Sequence, residues 1–370
     1  MLTRREFAAS LLGVAGAALL AAAPSRADTP SLNDLARRSG RVFGAAMRAD
    51  QLAAEPALRK AAAAECGMLT PEIHLKWNSI ENRKGSIWYE PVDQLVAFAA
   101  RNGQKVYGHA LLWEQSTPDW ALRELKARRN WRLVSDHFER VLGRYGETIE
   151  VWDVVNEPID TQGGRQGLRR NTFHRVFGPG YIAHALETAR HYAPRARLML
   201  NDYSFEYDNH VEADRRKTFL RLVADLKGRG VPLDGVGLQA HLDLGKGPLK
   251  RPVIAPFMQA LADMGLEIYI TELDVKERDY RATPQTRDAR VADEVARYLD
   301  IALDQKAVKG VTTWGLSDRH SWLRIERGDR IDRKRYGNPA PNRGLPYDAA
   351  MQPKRMHQAL AAAFTGGGLT

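Results

Sequence analysis

The strongest constraint on the fold is an alternation of two patterns. From Arg41 onward, short β-branched or aromatic runs are each followed by a longer amphipathic stretch rich in Ala, Leu, Arg and Glu. The short runs are Val42–Ala45, Gly67–Thr70, Lys105–Gly108, Glu150–Val155, Leu198–Leu200, Val236–Leu238, Glu267–Ile270 and Val311–Trp314. Stretches such as Pro91–Asn102, Trp131–Tyr145, Tyr181–Tyr192 and Ala213–Lys227 separate them and read as helices. Strands alternating with helices imply parallel βαβ units, and eight such units close on themselves. The expected fold is therefore α/β, a single (β/α)8 TIM barrel. A doubly wound open sheet is the alternative, weakened because no G-x-G-x-x-G turn follows the first run. A length of 370 residues would allow two or three domains. No Pro/Ser-rich linker breaks the series, so one domain is expected over residues 28–370, its body running from about Ser31 to about Phe364.

The first residues stand apart from this pattern. Arg4-Arg5-Glu6-Phe7 precedes an uncharged Ala/Leu/Gly-rich run from Ala8 to Ala23, then Ser25-Arg26-Ala27 with small residues where a signal peptidase reads. That order is an export signal over residues 1–27, and the paired arginines point to the twin-arginine route. An uncleaved anchor is the alternative, but alanine and glycine make the run only weakly apolar. Cleavage removes three arginines and one glutamate, taking the formal charge from +10 to +8. The mature chain is expected to be periplasmic or secreted, a monomer, with no stable membrane association. Hydrophobic residues at 44% and charged residues at 27% exclude a disordered or polytopic membrane chain. The single cysteine, Cys66, excludes an internal disulfide framework. Nucleic-acid binding is not expected, because the basic residues form no helical stripe with interleaved aromatics.

In a barrel the C-terminal strand ends converge on one face, which carries the active site. Past the fourth run lies Asn156-Glu157-Pro158, and past the seventh Thr271-Glu272-Leu273-Asp274. The third run leads into His109 and Trp113, the fifth into Asn201-Asp202-Tyr203, and the sixth into Gln239-Ala240-His241. The eighth begins a stretch with Trp314 and Trp322. Two glutamates among Trp, Tyr, His, Asn and Gln can cleave a glycosidic bond, one protonating the leaving oxygen while the other attacks or activates water. Barrel mouths also hold structural carboxylates, so position alone leaves that reading open. A metal site from His109, His241, Glu157, Glu272 and Asp274 competes, although no H-E-x-x-H pair or other tight ligand spacing supports it. No metal and no cofactor are expected.

Trp152-Asp153-Val154-Val155-Asn156-Glu157-Pro158 and Ile270-Thr271-Glu272-Leu273-Asp274 resemble the two catalytic segments of glycoside hydrolase family 10, the retaining endo-β-1,4-xylanases. The likeness runs from Phe43-Gly44-Ala45-Ala46 through Lys76-Trp77, Gly108-His109, Asn201-Asp202-Tyr203 and Gly235–His241. It ends at Trp314–Asp318 and Ser321-Trp322. It implies that Glu157 is the general acid/base and Glu272 the nucleophile. Asn156 would bond the sugar 2-hydroxyl, and His241 would bridge Glu272 and Asp274. Glu72, Lys76, His109, Trp113, Tyr203, Gln239, Trp314 and Trp322 would line the glycone subsites, with xylan or xylo-oligosaccharides as substrate. Trp77, Trp88 and Trp131 read instead as packing residues.

The family pattern is broken on the glycone side. Its Thr-x-Glu-Asn reads Thr70-Pro71-Glu72-Ile73, and its Trp-His-x-Gln reads Trp113-Glu114-Gln115-Ser116. A lost hydrogen bond to substrate in a buried site costs about 1–3 kcal/mol, enough to shift preference without abolishing catalysis. A related β-glycanase, a short xylo-oligosaccharide hydrolase and a non-catalytic glycan-binding barrel therefore remain alternatives. Seven Lys/Arg between Arg319 and Arg335, against Glu326, Asp329 and Asp332, suggest attraction to uronic-acid branches or an ordinary solvated loop.

Overall fold

The computed structural model describes residues 30–279, 281–323 and 342–366. The expected export signal and most of the basic stretch after the eighth run lie outside the described residues. Each of the eight runs is a strand: β1 (Val42–Met47), β2 (Met68–Pro71), β3 (Lys105–Gly108), β4 (Val151–Asn156), β5 (Arg197–Asp202), β6 (Gly235–Leu238), β8 (Glu267–Lys276) and β9 (Val308–Thr313). A further short strand, β7 (His241–Asp243), has no counterpart in the sequence pattern. All ladders between these strands are parallel. β1 pairs with β2 on one side and β9 on the other, and β6 pairs with β8, so eight strands close into a (β/α)8 barrel. β7 lies along the far end of β8.

The helices form where one face can be buried. In Arg132–Tyr145 the buried residues are Val134, His137, Phe138, Val141, Leu142 and Tyr145, a stripe spaced three or four apart. The helix expected from Ala213 begins earlier, at His210, because the Asn209 side chain accepts the Glu212 N–H and caps the first turn. A large core joins these helices to the outside of the strands. A second cluster of Met68, Tyr107, Val151, Met199 and Tyr269 draws on strands from opposite sides of the barrel. Tyr107 of β3 and Tyr269 of β8 meet with ring centroids 5.7 Å apart although their strands are not neighbours, so this cluster fills the barrel interior. The interior is a packed plug, and any cleft must open at its mouth.

One strand differs usefully from its sequence reading. The apolar run ends at Ile270, but β8 continues to Lys276, with Ile268 through Val275 buried. Side chains two apart in a strand face the same side, so Glu272 and Asp274 project together. The β8–β9 ladder is irregular between Ile270 and Leu273, and the β7–β8 ladder sets His241 opposite Asp274.

Candidate active site

At the C-terminal mouth of the barrel a cleft of about 1080 Å³ is walled by Glu72, Lys76, His109, Trp113, Asn156, Glu157, Tyr203, Gln239, His241, Glu272, Asp274, Trp314 and Trp322. The cleft thus gathers every site position singled out in the sequence. Ile73 and Gln115, from the two broken glycone-side segments, also line it, as do Gln51, Leu242 and Lys246, which were not anticipated.

Glu272 is fixed at both oxygens. Asn201 Nδ2 donates to Oε1 at 2.7 Å, and His241 Nε2 lies 3.3 Å from Oε2. The other imidazole nitrogen, Nδ1, is 2.8 Å from Asp274 Oδ1. An imidazole between two carboxylates satisfies both only by donating from both nitrogens, which is the imidazolium form. Burial alone would push His241 down, but the Asp274 and Glu272 charges and hydrogen bonds hold it well above the ordinary histidine value. Burial would likewise raise Glu272. The His241 hydrogen bond, with the fields of His109, His241 and Lys76, brings it below the ordinary glutamate value instead. Trp322 Nε1 closes the assembly by donating to Asp274 Oδ2 at 2.6 Å.

Glu157 stands on the other side of an amide relay. Asn201 Nδ2 also donates to Asn156 Oδ1 at 3.0 Å, and Gln239 Nε2 sits 3.4 Å from both Asn156 Oδ1 and Glu157 Oε1. Glu157 has φ of 55°, a left-handed conformation that costs a non-glycine residue about 1 kcal/mol or more. Its N–H donates to the Asn201 carbonyl at 2.8 Å, which helps hold the turn.

On the remaining wall Lys76 places its ammonium 4.7 Å from the Trp113 ring centroid and 5.6 Å from that of Trp314. Burial lowers the Lys76 pKa, with Glu272, Glu72 and Glu157 opposing. His109 Nδ1 meets Asp153 Oδ2 at 2.8 Å, and Tyr107 of the interior plug donates to Asp153 Oδ1 at 2.7 Å. Burial pushes Asp153 up against those two hydrogen bonds. Tyr203 stands at the opposite rim, its hydroxyl accepting from Arg169 at 2.9 Å.

Asn201, Asp153 and Arg169 support this site and were missed as functional positions. Asn201 and Asp153 sit inside segments already flagged by their neighbours, where alternation puts them on the inner face. Arg169 lies in a loop with no sequence signal that separates it from Arg165 and Arg170.

Glu114 belongs to the broken glycone-side motif, and its position there left open whether its side chain enters the cleft; it turns away from it. Its Oε1 accepts the Thr172 N–H at 2.7 Å and the Thr172 hydroxyl at 2.5 Å, anchoring the start of the helix Thr172–Phe177. An unpaired donor at a helix start attracts a carboxylate, which explains the orientation. Trp77 and Trp131 pack as expected, stacked on His137 and His184 with centroids 4.1 Å apart. Trp88 does not: it is 53% exposed, because it sits in the connection between helices Trp77–Ile80 and Glu90–Arg101 rather than on a helix face. Of the basic stretch, Arg319 lines the cleft, while residues 324–335 lie outside the described residues.

The sequence model of glycosyl hydrolase family 10 matches residues 31–363. The chain belongs to this family. It is a glycoside hydrolase. Endo-1,4-beta-xylanase A of Fusarium oxysporum f. sp. lycopersici is 35% identical to this family member over 271 residues, covering 70% of this chain and 79% of the relative. Endo-1,4-beta-xylanase B of Thermotoga neapolitana is 31% identical, covering 70% and 72%. The crystal structure of native xylanase 10B from Thermotoga maritima superposes with a TM-score of 0.78 at 28% identity, over 91% of this chain and 98% of that one.

Proposed function

We propose that the chain hydrolyses internal β-1,4-xylosidic bonds of xylan with retention, Glu272 acting as nucleophile and Glu157 as general acid/base. A Glu272 oxygen attacks the anomeric carbon while Glu157 passes its proton to the departing glycosidic oxygen, giving a glycosyl-enzyme and a freed sugar chain. A water then attacks the same carbon, loses its proton to Glu157, and releases Glu272. The observation that carries the assignment is the asymmetry of the two carboxylates. Glu272 is held ionised by an imidazolium and an amide donor, while Glu157 is met by the Gln239 amide and stands at the rim beside Arg169 and Tyr203. Two like side chains in unlike environments are what an acid and a nucleophile at one pH require. Asn156 stands between them on the amide relay, suited to a hydroxyl beside the reacting carbon.

The substrate class is supported by the relatives, whose names are endo-1,4-beta-xylanases. It is also supported by a structural neighbour, xylanase 10B from Thermotoga petrophila RKU-1, in complex with xylobiose (TM-score 0.78, 28% identity). Ile73 at the cleft wall replaces an amide with an apolar side chain, so weaker glycone affinity than the family norm is part of the reading. The test is Glu272→Ala assayed for reducing-sugar release from xylan, with the anomer formed first followed by NMR. Turnover should fall to background while the protein stays folded, and wild type should release the β-anomer first. Substantial activity in Glu272→Ala, or first release of the α-anomer, would sink the assignment.

A further inference from the structure

The proton that Glu157 donates must be aimed, yet Glu157 has a strained backbone and a carboxylate at the rim of the cleft. Arg169 is the group that touches both. The loop after β4 folds back on itself: Ile159 and Leu168 form an antiparallel bridge, and the Arg169 N–H donates to the Pro158 carbonyl at 2.8 Å. Arg169 is thereby returned to the side of Glu157 twelve residues after it.

Its guanidinium then makes four contacts. Nε donates to the Glu157 carbonyl at 2.8 Å. Nη2 donates to the Tyr203 hydroxyl at 2.9 Å and to the Ile159 carbonyl at 3.3 Å, and stands 3.8 Å from Glu157 Oε2. A second arginine braces the same unit from behind. Arg215 donates to the Ile159 carbonyl at 3.1 Å and the Tyr203 carbonyl at 2.8 Å, with its guanidinium 4.3 Å from the Tyr203 ring centroid. Arg215 also pairs with Asp202, whose Oδ2 accepts the Ile159 N–H at 2.8 Å. The two differ in what they face. Arg215 is buried behind the turn, whereas Arg169 is about a quarter exposed and, of the two, is the one that pairs with the Glu157 carboxylate.

We propose that Arg169 is the positioning residue of the acid/base, holding the left-handed turn of Glu157 through its carbonyl and placing a fixed positive charge beside its carboxylate. This rests on the reading of Glu157 as acid/base. A planar guanidinium suits the task because its fork reaches a carbonyl, a phenol and a carboxylate from one rigid plane, which an ammonium cannot do. The cation favours loss of the proton to the leaving oxygen in the first step. In the second step it favours the ionised Glu157 that deprotonates water. Tyr203 ties the same guanidinium to the rim, so a sugar seated on Tyr203 is held in register with the proton donor.

The experiment compares Arg169→Met and Arg169→Lys with wild type. Values of kcat/KM are measured on aryl xylobiosides whose leaving phenols range from strongly acidic to weakly acidic, and pH profiles are recorded for each enzyme. Arg169→Met should lose about 10–100-fold on the weakly acidic phenol and far less on the strongly acidic one, which departs without protonation. Its alkaline limb should move up, because the positive charge 3.8 Å from the Glu157 carboxylate is gone. Arg169→Lys keeps the charge but not the fork, so it should keep the wild-type limb while losing part of the rate on the weakly acidic phenol. It also remains informative if Arg169→Met misfolds. Equal losses across all leaving groups with an unmoved alkaline limb would reduce Arg169 to a structural role and overturn the proposal. So would wild-type rates in Arg169→Met, or the same shifted limb in both variants. Glu157→Ala separates the two levels. Absence of leaving-group dependence in that variant would remove the acid/base reading itself, and this inference with it.

Discussion

Gly237 offers the most direct check on how the nucleophile is held. A Cβ built at this position falls 2.2 Å from Asn201 Oδ1 and 2.9 Å from Asn201 Cγ and Thr271 Cγ2, far inside any real contact. Asn201 cannot yield freely, since it is fully buried, donates to Glu272 at 2.7 Å and Asn156 at 3.0 Å, and accepts from Thr271 Oγ1 at 2.8 Å. Gly237→Ala should therefore turn the amide away from Glu272. Loss of a hydrogen bond to a charged carboxylate is worth about 1.5–3 kcal/mol, which corresponds to roughly 10–150-fold in kcat/KM if it is felt at the transition state. Overpacking should add about 1–3 kcal/mol of lost stability. The assay is xylan hydrolysis and chemical denaturation of Gly237→Ala, Asn201→Ala and the double variant. Because the glycine acts through Asn201, the activity losses should be strongly non-additive, the double variant resembling Asn201→Ala alone. A single variant within twofold of wild type, or fully additive losses, would refute the steric reasoning.

Two further outcomes follow from the electrostatics and capping of the site. The folded pKa of His241 is raised above the ordinary value of about 6.5, so its stabilising effect is complete below that pH and is lost as pH rises toward the folded value. The melting-temperature gap between wild type and His241→Gln should be larger near pH 6 than near pH 9, and a gap that widens with pH would contradict the imidazolium assignment. Glu114→Ala strips the buried Thr172 N–H and hydroxyl of their acceptor, so unfolding free energy should drop by about 1–3 kcal/mol with KM on xylan unchanged. A raised KM at unchanged stability would instead place Glu114 in the cleft.

Much of the site was legible because barrel geometry converts sequence order into spatial order. Glu157 follows β4, Glu272 lies within β8, and a closed parallel sheet carries both to one mouth whatever separates them in the chain. What periodicity could not reveal were contacts that depend on backbone departures. β7 is three residues long and carries no apolar run, yet its register with Asp274 is what orients His241. Arg169 reaches Glu157 only because the loop after β4 doubles back, and nothing in the spacing of the arginines there distinguishes it. Motif position left the direction of Glu114 open, and the start of a neighbouring helix takes its carboxylate.

The sequence by itself determined the alternation of strands and helices, and hence the barrel, because the burial period of each segment is a local property of the chain. It also determined which residue types end each strand. The tertiary structure alone decided which of those residues meet. The pairing of Glu272 with Asn201, the turn of Glu157 under Arg169, and the exposure of Trp88 all depend on register, loop reversal and solvent access. Those are fixed only when separate segments compete for the same space, a condition that no local pattern encodes.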